Sequence, residues 1–157
     1  MELLSNGSFE IDSDSSGMPD GWVSYPQGFG SVFARDDSNA YDGSYSLAFS
    51  ANTGQSFSVY QDVPIEGGKS YRVSGWVNVL SGSAPQNVTL QVVALTMWGG
   101  TIGSQTVAGP ATGVTSGWVP LEGTVTLPSN AARARVRIAV GYLRGSVRLD
   151  QLSLVAQ

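Results

Sequence analysis

Between Arg133 and Val140 two sets of residues alternate: Ala134, Val136, Ile138 and Val140 are interleaved with Arg133, Arg135, Arg137 and Ala139. An α-helix brings side chains back to one face every 3.6 residues, so a period of two cannot serve a helix. The same signature recurs along the chain. Strand-like runs are expected at Ser46–Ser50, Phe57–Val63, Ser70–Leu80, Asn87–Met97, Gly117–Leu127, Ala134–Tyr142 and Ser146–Val155. Turn signals separate them: Asp42-Gly43, Glu66-Gly67-Gly68, Ser81-Gly82-Ser83, Gly99-Gly100, Pro128-Ser129-Asn130 and Arg144-Gly145. Many short strands divided by Gly, Pro and Ser turns predict an all-β fold, a sandwich or a barrel. No window shows a helical period bounded by caps. The stretches Ile11–Gly21 and Gly99–Gly117 read as the longest loops, and the second is long enough to suggest a functional loop.

Successive strand residues point to opposite sides, so the pattern also assigns faces. Tyr71, Val73, Gly75, Val77 and Val79 are expected to face the core, as are Val88, Leu90, Val92 and Ala94. The outward set then holds Arg72, Ser74, Trp76 and Asn78 on one strand. It holds Thr89, Gln91, Val93 and Leu95 on the next, and Arg135 and Arg137 on a later one. Tyr60 is out of phase with Val59 and Val63 and is expected on the same outward face.

Composition removes whole classes of chemistry. The 157 residues contain no His and no Cys. Ser-His-Asp and Cys-His nucleophiles, His-based zinc sites and disulfide frameworks are therefore impossible. A formal net charge of −4 argues against a nucleic-acid partner. No segment approaches the ~18 consecutive apolar residues of a membrane helix, so no membrane partner is expected. The length predicts one domain spanning residues 1–157. MELLSNGSFE has neither a basic nor an apolar leader region, so no signal peptide is expected within the chain.

Leu4-Ser5-Asn6-Gly7-Ser8-Phe9-Glu10 followed by Pro19-Asp20-Gly21-Trp22 resembles the opening of carbohydrate-binding modules of families 4, 9, 16 and 22. The likeness continues in Tyr41-Asp42-Gly43-Ser44-Tyr45-Ser46-Leu47, in Tyr60-Gln61-Asp62-Val63, in Gly68-Lys69-Ser70-Tyr71 and in Ser74-Gly75-Trp76-Val77. It closes with Gly117-Trp118-Val119-Pro120-Leu121-Glu122-Gly123-Thr124 and Val147-Arg148-Leu149-Asp150-Gln151-Leu152-Ser153-Leu154. The resemblance covers nearly the whole chain in order. It implies a galactose-binding-like jelly roll, a β-sandwich of two antiparallel sheets. It also implies a structural calcium ion where the chain ends meet, held by Glu10, Asp150, Asp42, the Tyr45 carbonyl and a backbone oxygen of Ser8. Calcium takes 6–8 hard oxygen ligands, which such a set supplies. The alternative is that Glu10 and Asp150 are plain turn carboxylates.

The resemblance further implies a glycan groove on one sheet's concave outer face. Sugars present flat C–H faces and hydroxyl rims, which aromatic rings and planar polar groups match. Trp76 is the expected platform, with Gln91, Arg135 and Arg137 as polar partners, Tyr60 beside them, Trp98 as a clamp and Tyr142 at the opposite rim. Trp76 has a competing reading, burial beneath the Ile11–Gly21 loop, and the arginines have another, ordinary pairing with nearby carboxylates. Trp22 is expected in the core or under a lid, and Trp118 in a structural role. The leading functional expectation is a noncatalytic module that binds a polysaccharide or oligosaccharide, extracellular or surface-associated, within a larger multidomain glycoside hydrolase. The alternative is a decoration or adhesion jelly roll of a virion or cell surface acting through protein–protein contacts. An enzyme is not expected. A glycosidase needs two opposed carboxylates in a cleft, and Asp12, Asp14, Asp20, Asp36 and Asp37 are assigned to loops or to the expected metal site, none to the outward face of the central strands.

Overall fold

A computed structural model describes residues 2–15, 18–25, 33–81, 87–112, 114–115 and 117–157. Gly82 and Ser83 of one expected turn lie outside the described residues. Eight strands and no helix are found among the described residues: β1 (Val23–Tyr25), β2 (Phe33–Asp36), β3 (Ser46–Pro64), β4 (Ser70–Ser81), β5 (Asn87–Leu95), β6 (Thr101–Thr112), β7 (Val119–Thr126) and β8 (Arg133–Ala156). All pair antiparallel.

Two strands are far longer than the sequence suggests, because β3 and β8 each run through both layers. The register between them shifts at Ala51/Gln55 and again at Gln55/Phe57. Opposite that break Tyr142 takes φ 52°, in the left-handed region. Irregularities of this kind bend a strand. The expected turn at Arg144-Gly145 is therefore a bend inside β8 rather than a chain reversal. Before it, β8 pairs with β3 from Phe57 onward and with β5; β1 and β6 complete this first sheet. After it, β8 pairs with the start of β3 and with β4; β2 and β7 complete the second sheet. With the two bent strands counted once per layer, ten strands form two antiparallel sheets, the architecture of a jelly-roll sandwich.

The inward faces follow the alternation. Tyr71, Val73, Val77, Val79, Val88, Leu90, Val92, Val136, Ile138, Val147, Leu149 and Leu154 are all buried in one connected core. Each such side chain contributes on the order of 1.5–3 kcal/mol on burial. Three of the positions assigned outward are nevertheless covered. Asn78, Val93 and Leu95 are buried too. Asn78 accepts a hydrogen bond from the Thr115 hydroxyl at 3.4 Å, and the Thr115 amide donates to the Val79 carbonyl at 3.1 Å, so the segment before β7 covers that spot. Val93 and Leu95 lie outside the connected core.

The expected Gly99–Gly117 loop is largely a strand, β6. Its sequence, TIGSQTVAGPAT, lacks regular alternation because it is an edge strand paired only with β5. An edge strand tolerates Gly and Pro because one of its sides need not hydrogen-bond.

The N-terminal motif is explained by packing. Phe9 is fully buried and meets Trp22 edge-on at 5.3 Å. The Trp22 indole N–H donates to the Asn6 carbonyl at 3.0 Å. Gly7 accepts from the Leu152 amide at 2.9 Å, and a Cβ on it would stand 2.1 Å from the Leu152 carbonyl oxygen. That close approach admits glycine alone. Gln61 completes the seam: its amide N–H donates to the carbonyls of Ser5 and Gly21, and its oxygen accepts from the Ser5 amide.

Candidate functional site

Strand register places the outward side chains of the first sheet in rows. One row runs Val23, Tyr60, Arg137, Gln91, Thr106 across β1, β3, β8, β5 and β6. The next runs Asp62, Arg135, Val93, Ser104, and a third runs Ser58, Ala139, Thr89. Adjacent strands stand ~4.8 Å apart, so a row presents a compact polar strip.

Arg135 forms a two-point bond to Asp62, Nε to Oδ1 at 2.7 Å and Nη2 to Oδ2 at 3.0 Å. Its guanidinium carbon also lies 4.0 Å from the centre of the Tyr60 ring. The Asp62 bond, opposed by burial, raises the Arg135 pKa above the ordinary arginine value. Arg137 differs. Its Nε and Nη2 both donate to the Gln91 side-chain oxygen, at 2.9 and 2.6 Å. Burial, reinforced by the charge of Arg135, lowers the Arg137 pKa. Ser58, Tyr60, Arg135 and Arg137 line a pocket of about 360 Å³ on this face. Tyr60, Gln91, Arg135 and Arg137 are thus brought together. Ser58 and Asp62 join them without having been singled out from the sequence. The available signal was spacing, since positions 58, 60 and 62 share one strand face.

The two rim residues stand at opposite ends of this sheet. Trp98 is 88% exposed at the β5–β6 turn. Two backbone bonds between Thr96 and Gly99/Gly100, with a third from the Gly100 amide to the Thr96 hydroxyl, hold that turn. Tyr142 is 55% exposed at the other end, its amide donating to the Ser56 hydroxyl at 3.2 Å. From Arg133, beside the Trp98 end, to Tyr142 is about 30 Å at ~3.3 Å per residue.

Trp76 does not belong to this group. It sits in the second sheet, between Asp150 and Pro120. Alternation assigns a residue to one side of its own sheet but does not say which sheet that is, and β4 and β5 fall in different layers. Tyr41 stacks on Trp76 with centroids 4.0 Å apart and planes 13° apart, and Trp118 meets Tyr41 edge-on at 6.1 Å. The Trp118 indole N–H donates to Asn39 at 3.2 Å. The cover comes from the loop before β3, not from Ile11–Gly21. Trp76→Ala is expected to cost about 1 kcal/mol of stability through the lost stack while leaving affinity for any ligand of the first sheet within about twofold, as titration calorimetry and a thermal melt will show.

Glu10 and Asp150 converge on the 41–45 turn. Asp150 is fully buried; Oδ2 accepts from the amides of Tyr41 and Asp42, both at 2.9 Å, and Oδ1 from Gln151 at 2.8 Å. The Glu10 oxygens accept from Ser44 and Tyr45 at 2.8 and 2.9 Å. Burial pushes Asp150 up to about 6, against the pull of these amides and with the Glu10 charge adding to the rise. The two carboxylates lie close enough for the Glu10 charge to act on Asp150, and each oxygen keeps lone pairs beyond these amide bonds. Asp42 contributes an exposed carboxylate, Tyr45 lies beside it, and Ser8 precedes Glu10 by two residues. Elsewhere the carboxylates of Asp12, Asp14 and Asp20 gather within 4.8 Å of one another, and Asp12 lies 4.0 Å from Arg35.

Two bent antiparallel sheets carrying a polar and aromatic strip on one outer face define a β-sandwich binding domain. The model of a family described as a carbohydrate binding domain, of the 4/9 type, matches residues 1–146, and the chain belongs to that family. Among solved structures it is similar to the CBM22-1 xylan-binding domain of Paenibacillus barcinonensis Xyn10C, at 21% identity over 99% of this chain and 94% of that one, with a TM-score of 0.72. It is similar to TmCBM61 solved with β-1,4-galactotriose, at 21% identity over 100% and 99% of the two chains, with a TM-score of 0.71. It is also similar to part of the enzymatically active domain of bacteriophage CBA120 tailspike protein 4, at 16% identity over 99% of this chain and 21% of that one, with a TM-score of 0.74. No curated protein matches the sequence.

Proposed function

We propose that this carbohydrate-binding domain holds a polysaccharide or oligosaccharide chain across the outer face of its first sheet, without catalysis. The observation that carries this reading is the 360 Å³ pocket in which Arg135 is stacked on Tyr60 and Arg137 is anchored by Gln91. A ring fixed by a guanidinium on one side is a preorganised surface for the C–H face of a sugar, and preorganised groups lose little entropy on binding. The noncatalytic reading rests on the family, a carbohydrate binding domain. No carboxylate lines the pocket among the described residues, and the nearby Asp62 is occupied by Arg135. Glu10, Asp150, Asp42, the Tyr45 carbonyl and Ser8 would hold a structural calcium at the other pole, tying the N-terminal segment to β8 away from the glycan. A module of this kind works outside the cell or on its surface, where polymeric glycans are, and most usefully joined to a glycoside hydrolase.

Affinity electrophoresis against soluble xylan, galactan and β-glucan tests the reading: retardation by at least one polymer is expected, and migration indifferent to all of them overturns it. Trp98→Ala is expected to leave the melting temperature unchanged, because the ring is almost wholly exposed, and to weaken binding of long polymers by several-fold, in line with the loss of one aromatic contact. The exposed Met97-Trp98 tip favours one second reading, a decoration domain docking on another protein. That reading requires a defined oligomer in light scattering that Trp98→Ala dissociates.

A further inference from the structure

The floor of the pocket is electrostatically unbalanced. Arg135 has its counterion in Asp62, bonded at two points. Arg137 has no carboxylate within ion-pair distance among the described residues; it bonds instead to the neutral side-chain oxygen of Gln91. Arg133 extends the same face, one row beyond Arg135. A guanidinium carries five N–H donors, and Gln91 uses two of those on Arg137. The rest of the lining is hydroxyl, from Ser58 and Tyr60. Holding a cation half-buried beside a second cation is unfavourable in the free protein. Neutral hydroxyls alone do not require it, since amides and carboxylates bond them as well without that cost. The chain as a whole carries a net charge of −4, so this positive spot stands against the general field.

We propose that the pocket receives the carboxylate of a uronic acid residue on Arg137, and that the polymer held is an acidic polysaccharide; this rests on the glycan-binding reading above. A carboxylate completes the charge balance and accepts the remaining in-plane guanidinium donors, a pairing stronger and more directional than a bond to a sugar hydroxyl. Gln91 fixes the plane of the guanidinium, so the donors are aimed before the ligand arrives. Ser58 and Tyr60 then bond the ring hydroxyls of the same sugar.

The test uses matched polymers: glucuronoxylan and polygalacturonan, each native and after chemical reduction of its carboxyl groups to alcohols. Binding is followed by titration calorimetry at two salt concentrations. For at least one pair the native polymer is expected to bind at least tenfold tighter than its reduced form, with the difference shrinking as salt rises. R137Q is expected to bind the two forms alike. The comparison of polymers on the unaltered protein stands even if R137Q does not fold. Equal affinity for native and reduced polymer overturns the uronate assignment and leaves the glycan reading intact. Failure of all four polymers, together with neutral xylan, galactan and β-glucan, overturns both.

Discussion

Tyr60→Ala is expected to weaken glycan binding by about 2 kcal/mol, roughly 30-fold, with little change in stability. Tyr60 stands at the centre of the row Val23–Tyr60–Arg137–Gln91 and lines the pocket. Its loss removes a large apolar surface and also frees Arg135, which lies over the ring at 4.0 Å. Arg135 would keep its bond to Asp62 but lose the stacking that sets its tilt. The fold should tolerate the change because the core is built from the opposite face of β3, from Val59 and Val63. Tyr60→Phe separates the two contributions. It keeps the ring and loses only the hydroxyl, so a smaller loss is expected. An affinity for Tyr60→Ala equal to that of the unaltered protein would mean that the glycan lies elsewhere. With Trp76→Ala as a partner variant, calorimetry reads out both sheets in one experiment.

Removal of the calcium proposed above is expected to lower the melting temperature at pH 7 by roughly 5–10 °C. A ligand at about 100 times its dissociation constant contributes ~2.7 kcal/mol, and a domain of this length shifts by ~2–4 °C per kcal/mol. The pH dependence follows from Asp150. Its folded pKa of about 6 lies above the ~3.9 of an unfolded aspartate. Between these values the folded metal-free protein binds more protons than the unfolded chain, so its stability falls as pH rises from about 4 to about 6 and then levels off. Calcium requires the ionised carboxylates, so the stabilisation it provides grows across the same window. Melts at pH 4.5 and pH 7, with EDTA or with excess calcium, are expected to coincide at the lower pH and separate at the higher. Superimposable curves at pH 7 would remove the metal from the account.

The strands that pack on both sides were legible because their burial imposes a period of two. Val73, Val77 and Val79 alternate in β4, as Ala134, Val136, Ile138 and Val140 do in β8, and both strands run through the middle of a sheet. Of the edge strands only β7, expected as Gly117–Leu127, was legible. β1, β2 and β6 have a partner on one side only, so composition constrains them weakly, and Thr101–Thr112 reads as a loop. The joins inside β3 and β8 were hidden for another reason. Arg144-Gly145 looks like a turn and the runs Ser46–Ser50 and Phe57–Val63 look like separate strands, yet at both places the chain bends and carries on in the other sheet. In the site, Gln91, Arg135 and Arg137 could be grouped because they share the polar phase of strands rich in apolar residues. Asp62 was passed over as one more aspartate, and its role emerges only with Arg135 opposite it.

From local physics alone, the sequence determined that the chain is all-β, which residues of each central strand turn inward, and that it lacks the side chains for thiol and imidazole chemistry. Alternation and composition are properties of short segments, so they survive without a partner. The tertiary structure decided what depends on pairing: which strands share a sheet, that Trp76 lies under Tyr41 in the second layer, and that one of two neighbouring arginines is neutralised while the other is not. A cross-strand neighbour such as Asp62 for Arg135 lies 73 residues away in the chain. No local pattern specifies that contact. The register of β3 against β8 does.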